Sequence, residues 1–424
     1  MAAIANAYVE RITEITHTGD LNFSDVVTIP ASSFVANGVY FIIATGEFNG
    51  DWSQSNGEVR LVHGSTPTVF TGSLITFDIA STLAADKLLW GPYVTEFTQP
   101  ATAEDVKVQM RVKSLTTNTI RGNNITIWAI RRDSDLVENT DFKYAEVTSP
   151  TQHTTTMAAR ASITWTPADN NHDWLVICCE SIDINSAGVN FEIQIDRDSG
   201  AETAGFFGRE GERVDDVLLL GTFWPFTLTD SEHTLALHSR DDATGTNDHE
   251  YSAILALRLD RFEDHTIFTN TGAIDGLGDD VFGEIGAMDI TPATAGDIVL
   301  MARANVTEFA ANDESTIRIE IGGTDTLGKG GDSENGTWAA KAFDTTDRSP
   351  HFCLARENVA ASLQDVDIDG KLHEGTAGQQ DFVNRAGVVF SMELANGAPA
   401  DVEGMVIGGK LLRGGLLKSG LLVR

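Results

Sequence analysis

The chain has 424 residues and is 42% hydrophobic, enough for two to four ordinary cores and too apolar for wholesale disorder. Its 62 Asp and Glu outnumber its 29 Lys and Arg, giving a formal charge of −33. A surface of that sign repels phosphate backbones and anionic headgroups, which excludes chain-wide nucleic-acid binding and disfavours docking on membrane lipid.

In chain order, residues 1–19 form an N-terminal segment whose opening, Met1-Ala2-Ala3-Ile4-Ala5-Asn6, lacks the basic flank and long apolar stretch of a signal peptide. No later apolar run approaches the roughly 20 residues of a membrane span, so the expectation is a protein folded inside a cell without export by the usual route. Beyond residue 20, short apolar or alternating runs recur, among them Val39 to Ile43, Val106 to Val112, Ile125 to Ile130 and Phe191 to Ile195. Gly, Asn, Asp and Ser clusters separate them and helical periodicity is scarce, a pattern that predicts an all-β chain.

A long-period repeat orders these strands. A Pro-Ala pair closes an early strand three times, at Pro30-Ala31, Pro167-Ala168 and Pro292-Ala293. An apolar strand follows each pair, from Val39, Trp174 and Ile298, and an alternating one comes next at Val59, Phe191 and Ile317. Each unit closes on a similar strand, at Ile125 to Ile130, Ala253 to Leu259 and Val388 to Leu394. Trp90-Gly91-Pro92-Tyr93 and Phe223-Trp224-Pro225-Phe226 are expected to plug one end of each core, with Ser349-Pro350-His351-Phe352 a poorer counterpart in the third unit. The spacing predicts three tandem β-sandwich domains, jelly-roll-like, at residues 20–148, 150–268 and 287–400. A linker at 269–286 and an extended C-terminal arm at 401–424 complete the layout.

Asp365-Val366-Asp367-Ile368-Asp369-Gly370 sets oxygen ligands at alternate positions before a glycine, like the opening of a calcium loop. Thr376 stands where the closing bidentate Glu belongs. Asp365, Asp367 and Asp369 are thus candidate calcium ligands, against the alternative of an edge strand showing carboxylates to solvent; no other cofactor is implied. Trp52, in the polar stretch Asn49 to Gln54, is the best candidate for an exposed glycan platform among seven tryptophans, whose others fit core packing. The acidic loop Asp241 to Glu250 reads as a cation or recognition loop, or as a solvated turn. His63-Gly64-Ser65 and Asp230-Ser231-Glu232-His233 place serine near histidine without a nucleophile elbow. With no phosphate-binding loop or metalloprotease motif either, the chain is expected not to be an enzyme. Cys178, Cys179 and Cys353 lack zinc-site spacing and read as buried thiols of a reducing compartment.

After Glu403 the chain carries no acid, and its glycines separate the pairs Leu411-Leu412 and Leu416-Leu417, with Lys410, Arg413 and Lys418 between and beside them. These residues form either an arm whose leucines fill pockets on a neighbouring chain, its cations meeting acidic surface, or a last strand folded back on the third sandwich.

Tandem sandwiches, a strongly acidic chain, no export signal, no catalytic motif and an apolar arm together resemble, in organisation, the virion structural proteins of tailed phages and similar viruses. Capsid-decorating proteins, head fibres and tail appendages belong to this class. The resemblance implies a non-enzymatic role in the virion after synthesis in the host cytoplasm. It also implies partnership with other virion proteins and with copies of itself, as a homotrimer, and none with nucleic acid or membrane. A glycan- or receptor-binding module is the alternative reading, and a polysaccharide-active enzyme the third.

Overall fold

A computed structural model describes residues 6–11, 13–50, 55–79, 87–113, 119–133, 136–185, 189–211, 217–241, 247–274, 281–307, 314–325, 339–341, 348–373, 381–392, 406–407 and 410–411. Its regular structure is almost wholly strand. The first third holds β1 (Asn6–Arg11), β2 (Ile15–Thr18), β3 (Ser24–Ile29), β4 (Val39–Gly50), β5 (Ser55–His63), β6 (Thr68–Val69), β7 (Ile75–Ile79), β8 (Lys87–Thr98), β9 (Val106–Val112) and β10 (Thr119–Arg131). Next come β11 (Phe142–Val147), β12 (Thr151–Gln152), β13 (Ala158–Trp165), β14 (His172–Asp183), β15 (Val189–Arg197), β16 (Gly200–Gly211), β17 (Val217–Leu228), β18 (His233–Asp241) and β19 (Asp248–Arg258). The last third holds β20 (His265–Asn270), β21 (Gly283–Ala287), β22 (Gly296–Thr307), β23 (Glu314–Ile321), β24 (Thr324–Asp325), β25 (Ala339–Lys341), β26 (Arg348–Val359), β27 (Val366–His373), β28 (Asp381–Ser391), β29 (Val406–Ile407) and β30 (Lys410–Leu411).

Among the described residues, leaving aside the two-residue strands and β2, each third contributes eight strands, and the same pairing order appears three times. One sheet runs first-eighth-third-sixth: β1-β10-β4-β8, then β11-β19-β14-β17, then β20-β28-β22-β26. The other runs second-seventh-fourth-fifth: β3-β9-β5-β7, β13-β18-β15-β16 and β21-β27-β23-β25. This is the strand order of a jelly roll, in which two antiparallel four-stranded sheets face each other. Two single bridges between units, Thr76 to Val217 and Gly91 to Leu220, link sheets of the first and second.

The pairings shift the expected boundaries by about one strand. β1, in the segment 1–19 set outside the sandwiches, pairs along its whole length with β10. β11 falls within 20–148 yet pairs with β19, and β20 begins within 150–268 yet pairs with β28. β21, which begins inside the expected linker 269–286, pairs with β27. These strands are short and only half-buried, so their apolar signal is weak, and their partners are remote in sequence. The Pro-Ala pairs follow the second-strand region of each unit, Pro30 after β3, Pro167 after β13 and Pro292 after the Ile290–Gln364 bridge. The aromatic-proline segments lie within the sixth strands instead of plugging a core end. Each sixth strand ends the four-strand order of its own unit, a position where a sheet tolerates proline.

The two sheets of each unit are buried differently. Outer strands alternate, as in β13, where Arg160, Ala161, Ile163 and Trp165 are buried among exposed neighbours. Inner strands do not: Phe41 to Ala44, Trp174 to Cys179, Ala253 to Leu257 and Val299 to Ala302 are each buried without a break. Unbroken burial means cover on both faces. In β22, Ile298, Leu300 and Ala302 enter the third core with Ile317 and Ile368, while Val299 and Met301 on the opposite face join the apolar cluster of the first two units.

The units close into a ring. The fifth strand of each lies against the sixth of the next: β7 against β17, β16 against β26, and β25 back against β8. Tyr93 stacks on Tyr251 at 5.6 Å between the first and second units, Phe223 meets Phe352 at 5.4 Å between the second and third, and Trp128 meets Phe390 at 5.8 Å between the first and third. Gly221 permits one of these approaches, since a Cβ there would overlap the backbone of Pro92. Trp128→Ala is expected to cost about 3–5 kcal/mol as a buried large-to-small change. Gly221→Val should cost about 1–3 kcal/mol by overpacking. Equilibrium unfolding in urea measures both, and losses below about 0.5 kcal/mol would contradict a tightly closed ring.

Candidate functional site: a clasp and a buried carboxylate in the second sandwich

The outer sheets share a repeated link between the turn after the fourth strand and the start of the seventh. Gly64 N donates to Asp105 O at 3.1 Å, Asp198 N to Thr234 O at 2.8 Å, and Gly322 N to Asp365 O at 2.9 Å. Side chains reinforce it in two units: His63 Nδ1 meets Glu104 Oε2 at 2.6 Å, and His233 Nδ1 meets Asp198 Oδ2 at 2.7 Å. In the second unit His233 Nε2 lies 3.0 Å from Thr229 Oγ1 and 3.4 Å from Ser231 Oγ. Carboxylate, imidazole and hydroxyl therefore line up in the order of a hydrolase triad.

The backbone decides what this arrangement does. Thr229 N–H also donates to His233 Nε2, at 3.2 Å, engaging the lone pair that a general base would offer. Burial opposes ionisation of Asp198, but the Thr234 amide and His233 outweigh it and hold the carboxyl below its ordinary range. The first unit makes the same clasp with the imidazole and carboxylate exchanged between its two sides. The geometry is that of a turn-locking clasp.

The same equivalence places the calcium candidates. Asp365 to Asp369 corresponds to Asp105 to Gln109 and Thr234 to His238, the start of the seventh strand. β27 lies between β21 and β23, so the edge-strand alternative is overturned along with its picture of three free carboxylates. Val366 and Ile368 point into the core, and Asp369 accepts from Arg318 Nε at 2.9 Å and Nη2 at 2.8 Å. Asp365 is exposed, and Asp367 is raised above the usual carboxylate range by burial and by Asp365, Glu284, Asp369 and Asp289. Among the described residues no group of three His, Cys, Asp or Glu is set to hold a metal. A calcium ion would have to draw Asp369 from Arg318.

A second polar cluster lies inside the second sandwich. Glu180 on β14 is fully buried, and its Oε1 accepts from His153 Nε2 at 2.9 Å, His249 Nδ1 at 3.1 Å and Ser239 Oγ at 3.0 Å. Arg160 Nε donates to Ser239 Oγ at 2.8 Å and stands 3.6 Å from the carboxylate. Burial alone would raise the Glu180 pKa, but the hydrogen bonds from His153 and His249 outweigh it and lower it to about 2. The acidic loop singled out in the sequence is anchored here, for its flanks Asp241, Asn247 and His249 are buried. Glu180 itself sits in an apolar strand run, and only the buried histidines facing it mark it out.

Other candidates are placed only in part. Lys410 and Leu411 form β30, which pairs with β29 in a separate two-stranded sheet. Trp52, Leu412, Arg413, Leu416, Leu417 and Lys418 lie outside the described residues, as does the middle of the acidic loop. The three cysteines are free and buried, and burial pushes the Cys179 thiol up to about 12 and the other two well above their ordinary value.

The sequence matches no protein-family model, and no curated protein matches it. Among solved structures, the chain is similar to the atomic structure of Sulfolobus turreted icosahedral virus at 8% identity, over 84% of this chain and 81% of that one, with a TM-score of 0.20. It is similar to the insecticidal delta-endotoxin Cry8Ea1 from Bacillus thuringiensis at 10% identity and a TM-score of 0.21; the match covers 50% of this chain and only 42% of the toxin. The tandem CBM51 modules of a family 98 glycoside hydrolase from Streptococcus pneumoniae are similar at 10% identity over 58% of this chain and 83% of that one, with a TM-score of 0.16. At such TM-scores the chains do not superpose as wholes, and no functional conclusion follows.

Glu180 supplies a pH test. A carboxyl lowered from an ordinary value near 4.3 contributes stability that is full above that value and is lost as pH falls towards about 2. Glu180→Gln is expected to cost about 3–5 kcal/mol at pH 7, because Arg160 is left without its buried counter-charge. In urea titrations the difference between variant and native chain should narrow below about pH 4. A difference that stays constant down to about pH 2 would show that Glu180 is not ionised in the fold.

Proposed function

We propose that the chain is a non-enzymatic structural protein of a virion, carried on the capsid or an appendage of a tailed phage or similar virus. The observation that carries this reading is the threefold use of one jelly-roll order in one chain, closed into a ring with apolar inner sheets. That construction yields a rigid body with extensive outer sheet, suited to holding a position more than to transforming a substrate. The polar clusters agree: the Glu180 group is sealed in a core, and the His233 group is tied to backbone. A charge of −33 keeps crowded copies apart and away from packaged nucleic acid. Its partners in this reading are other virion proteins and, through the lattice they form, other copies of itself. The homotrimer implied by the resemblance is a separate matter of mass, because one chain already brings three sandwiches together.

Quantitative mass spectrometry of purified particles from the source culture tests the reading. The chain is expected in the particle fraction, in a copy number matching capsid surface or tail vertices. Its absence from particles would overturn the proposal. Specific polysaccharide binding lost in Trp52→Ala would instead favour a binding module, and release of reducing sugar abolished by a single carboxylate change would make the chain an enzyme.

A further inference from the structure

We infer that one chain takes the place of a trimer, binding as a single copy on a threefold axis formed by three identical subunits with basic surfaces. The partner clause rests on the virion reading above; the statement about mass does not. Three tandem sandwiches joined as beads would leave the third free of the first. Here the contact from fifth to sixth strand runs from first unit to second, second to third, and third back to first. The last closure is supported by Trp128 against Phe390 and by the Arg356 guanidinium 5.6 Å from the Tyr8 ring.

Because the strand order is the same in each unit, the ring presents three equivalent sheet faces. At one register of the fourth and seventh strands two units keep an acid facing an arginine, and the third keeps only the cation. Glu58 meets Arg111 at 2.5 Å, Glu192 meets Arg240, and Thr316 stands opposite Lys371. The first and third units also match in placing Phe23 under Arg60 and Phe282 under Arg318, at 3.5 and 4.0 Å. A partner with threefold symmetry meets the same backbone three times, and that symmetry is the one a closed ring of three units can match.

A cationic subunit fits as the occupant better than a second copy does. Among the described residues the large exposed apolar side chains are Leu21, Val35, Val69, Val137, Val281 and Leu363, which lie on separate turns and short elements. The formal charge of −33 also sets copies against each other and calls for cationic surface on the partner.

Sedimentation equilibrium of the full chain at micromolar concentration is expected to give 45.6 kDa, and a homotrimer would overturn the inference. The same measurement after deletion of residues 401–424 separates causes: a trimer that becomes a monomer shows that the arm, not the ring, provides threefold assembly. Calorimetry should show one cooperative transition that Trp128→Ala lowers as a whole, whereas three independent transitions would mean that the ring is not a unit. On purified particles, cryo-electron microscopy should find one chain on each occupied threefold axis, released at high salt. Three chains per axis, or chains away from threefold axes, would overturn the inference. Absence from particles would count against the virion reading, with the mass measurement still deciding for or against the single-chain trimer.

Discussion

Covering three sheets on both faces is the constraint on which this molecule depends. A jelly roll alone buries one face of each sheet and leaves the other to water, so its strands alternate. The inner strands here carry unbroken apolar runs, such as Phe41 to Ala44 and Trp174 to Cys179, whose second faces need a partner. The other two units supply it. Each buried apolar side chain is worth roughly 1.5–3 kcal/mol relative to exposure. Opening the ring would therefore expose a large stabilising term at once, and no unit is expected to keep its inner sheet in water.

Such packing constrains the polar groups caught within it. Arg303 lies at the junction of the second and third units, where Nη1 donates to Thr222 Oγ1 at 2.6 Å and Nη2 to Asn305 Oδ1 at 3.0 Å. Burial lowers its pKa to about 9, a cost that hydrogen bonds and the nearby Trp224 ring offset. Glu180 shows the opposite balance, a carboxylate kept ionised by two imidazoles. Both groups are destabilising unless every neighbour is in place, so they favour one arrangement of strands over near alternatives. The close approaches at Gly221 and Gly72, where a side chain would overlap Pro92 or Tyr251, act in the same direction through sterics.

The sequence is legible where strands are buried on both faces and obscure where pairing is remote. The apolar third and eighth strands announce themselves, and the Pro-Ala turns mark the exit from the second strand. β1, β11 and β20 are short and mostly half-buried at the outer position of their sheets, and each takes its register from a strand more than 90 residues away. The site shows the same division. Ser231 and His233 are visible as neighbours, but Asp198 comes from a different turn, and the Thr229 amide that turns a triad into a clasp has no sequence signature. The Asp365 to Asp369 run resembles a metal loop because a strand with a polar outer face places acids at alternate positions; only the cross-strand Arg318 reveals its role.

Repetition without identity explains why a single chain carries three units. Covalent linkage makes the second and third encounters intramolecular, at an effective concentration no separate subunits would reach. It also frees equivalent positions to diverge, because no residue need satisfy three symmetric environments. The clasp records that freedom: histidine on one side in the first unit, histidine on the other in the second, and a backbone bond at Asp365 in the third. A symmetric homotrimer would have to repeat one solution three times. Here Gly221 can face Pro92 at one junction while Arg303 bonds Thr222 at the next, so each contact is optimised separately and the ring closes in one order.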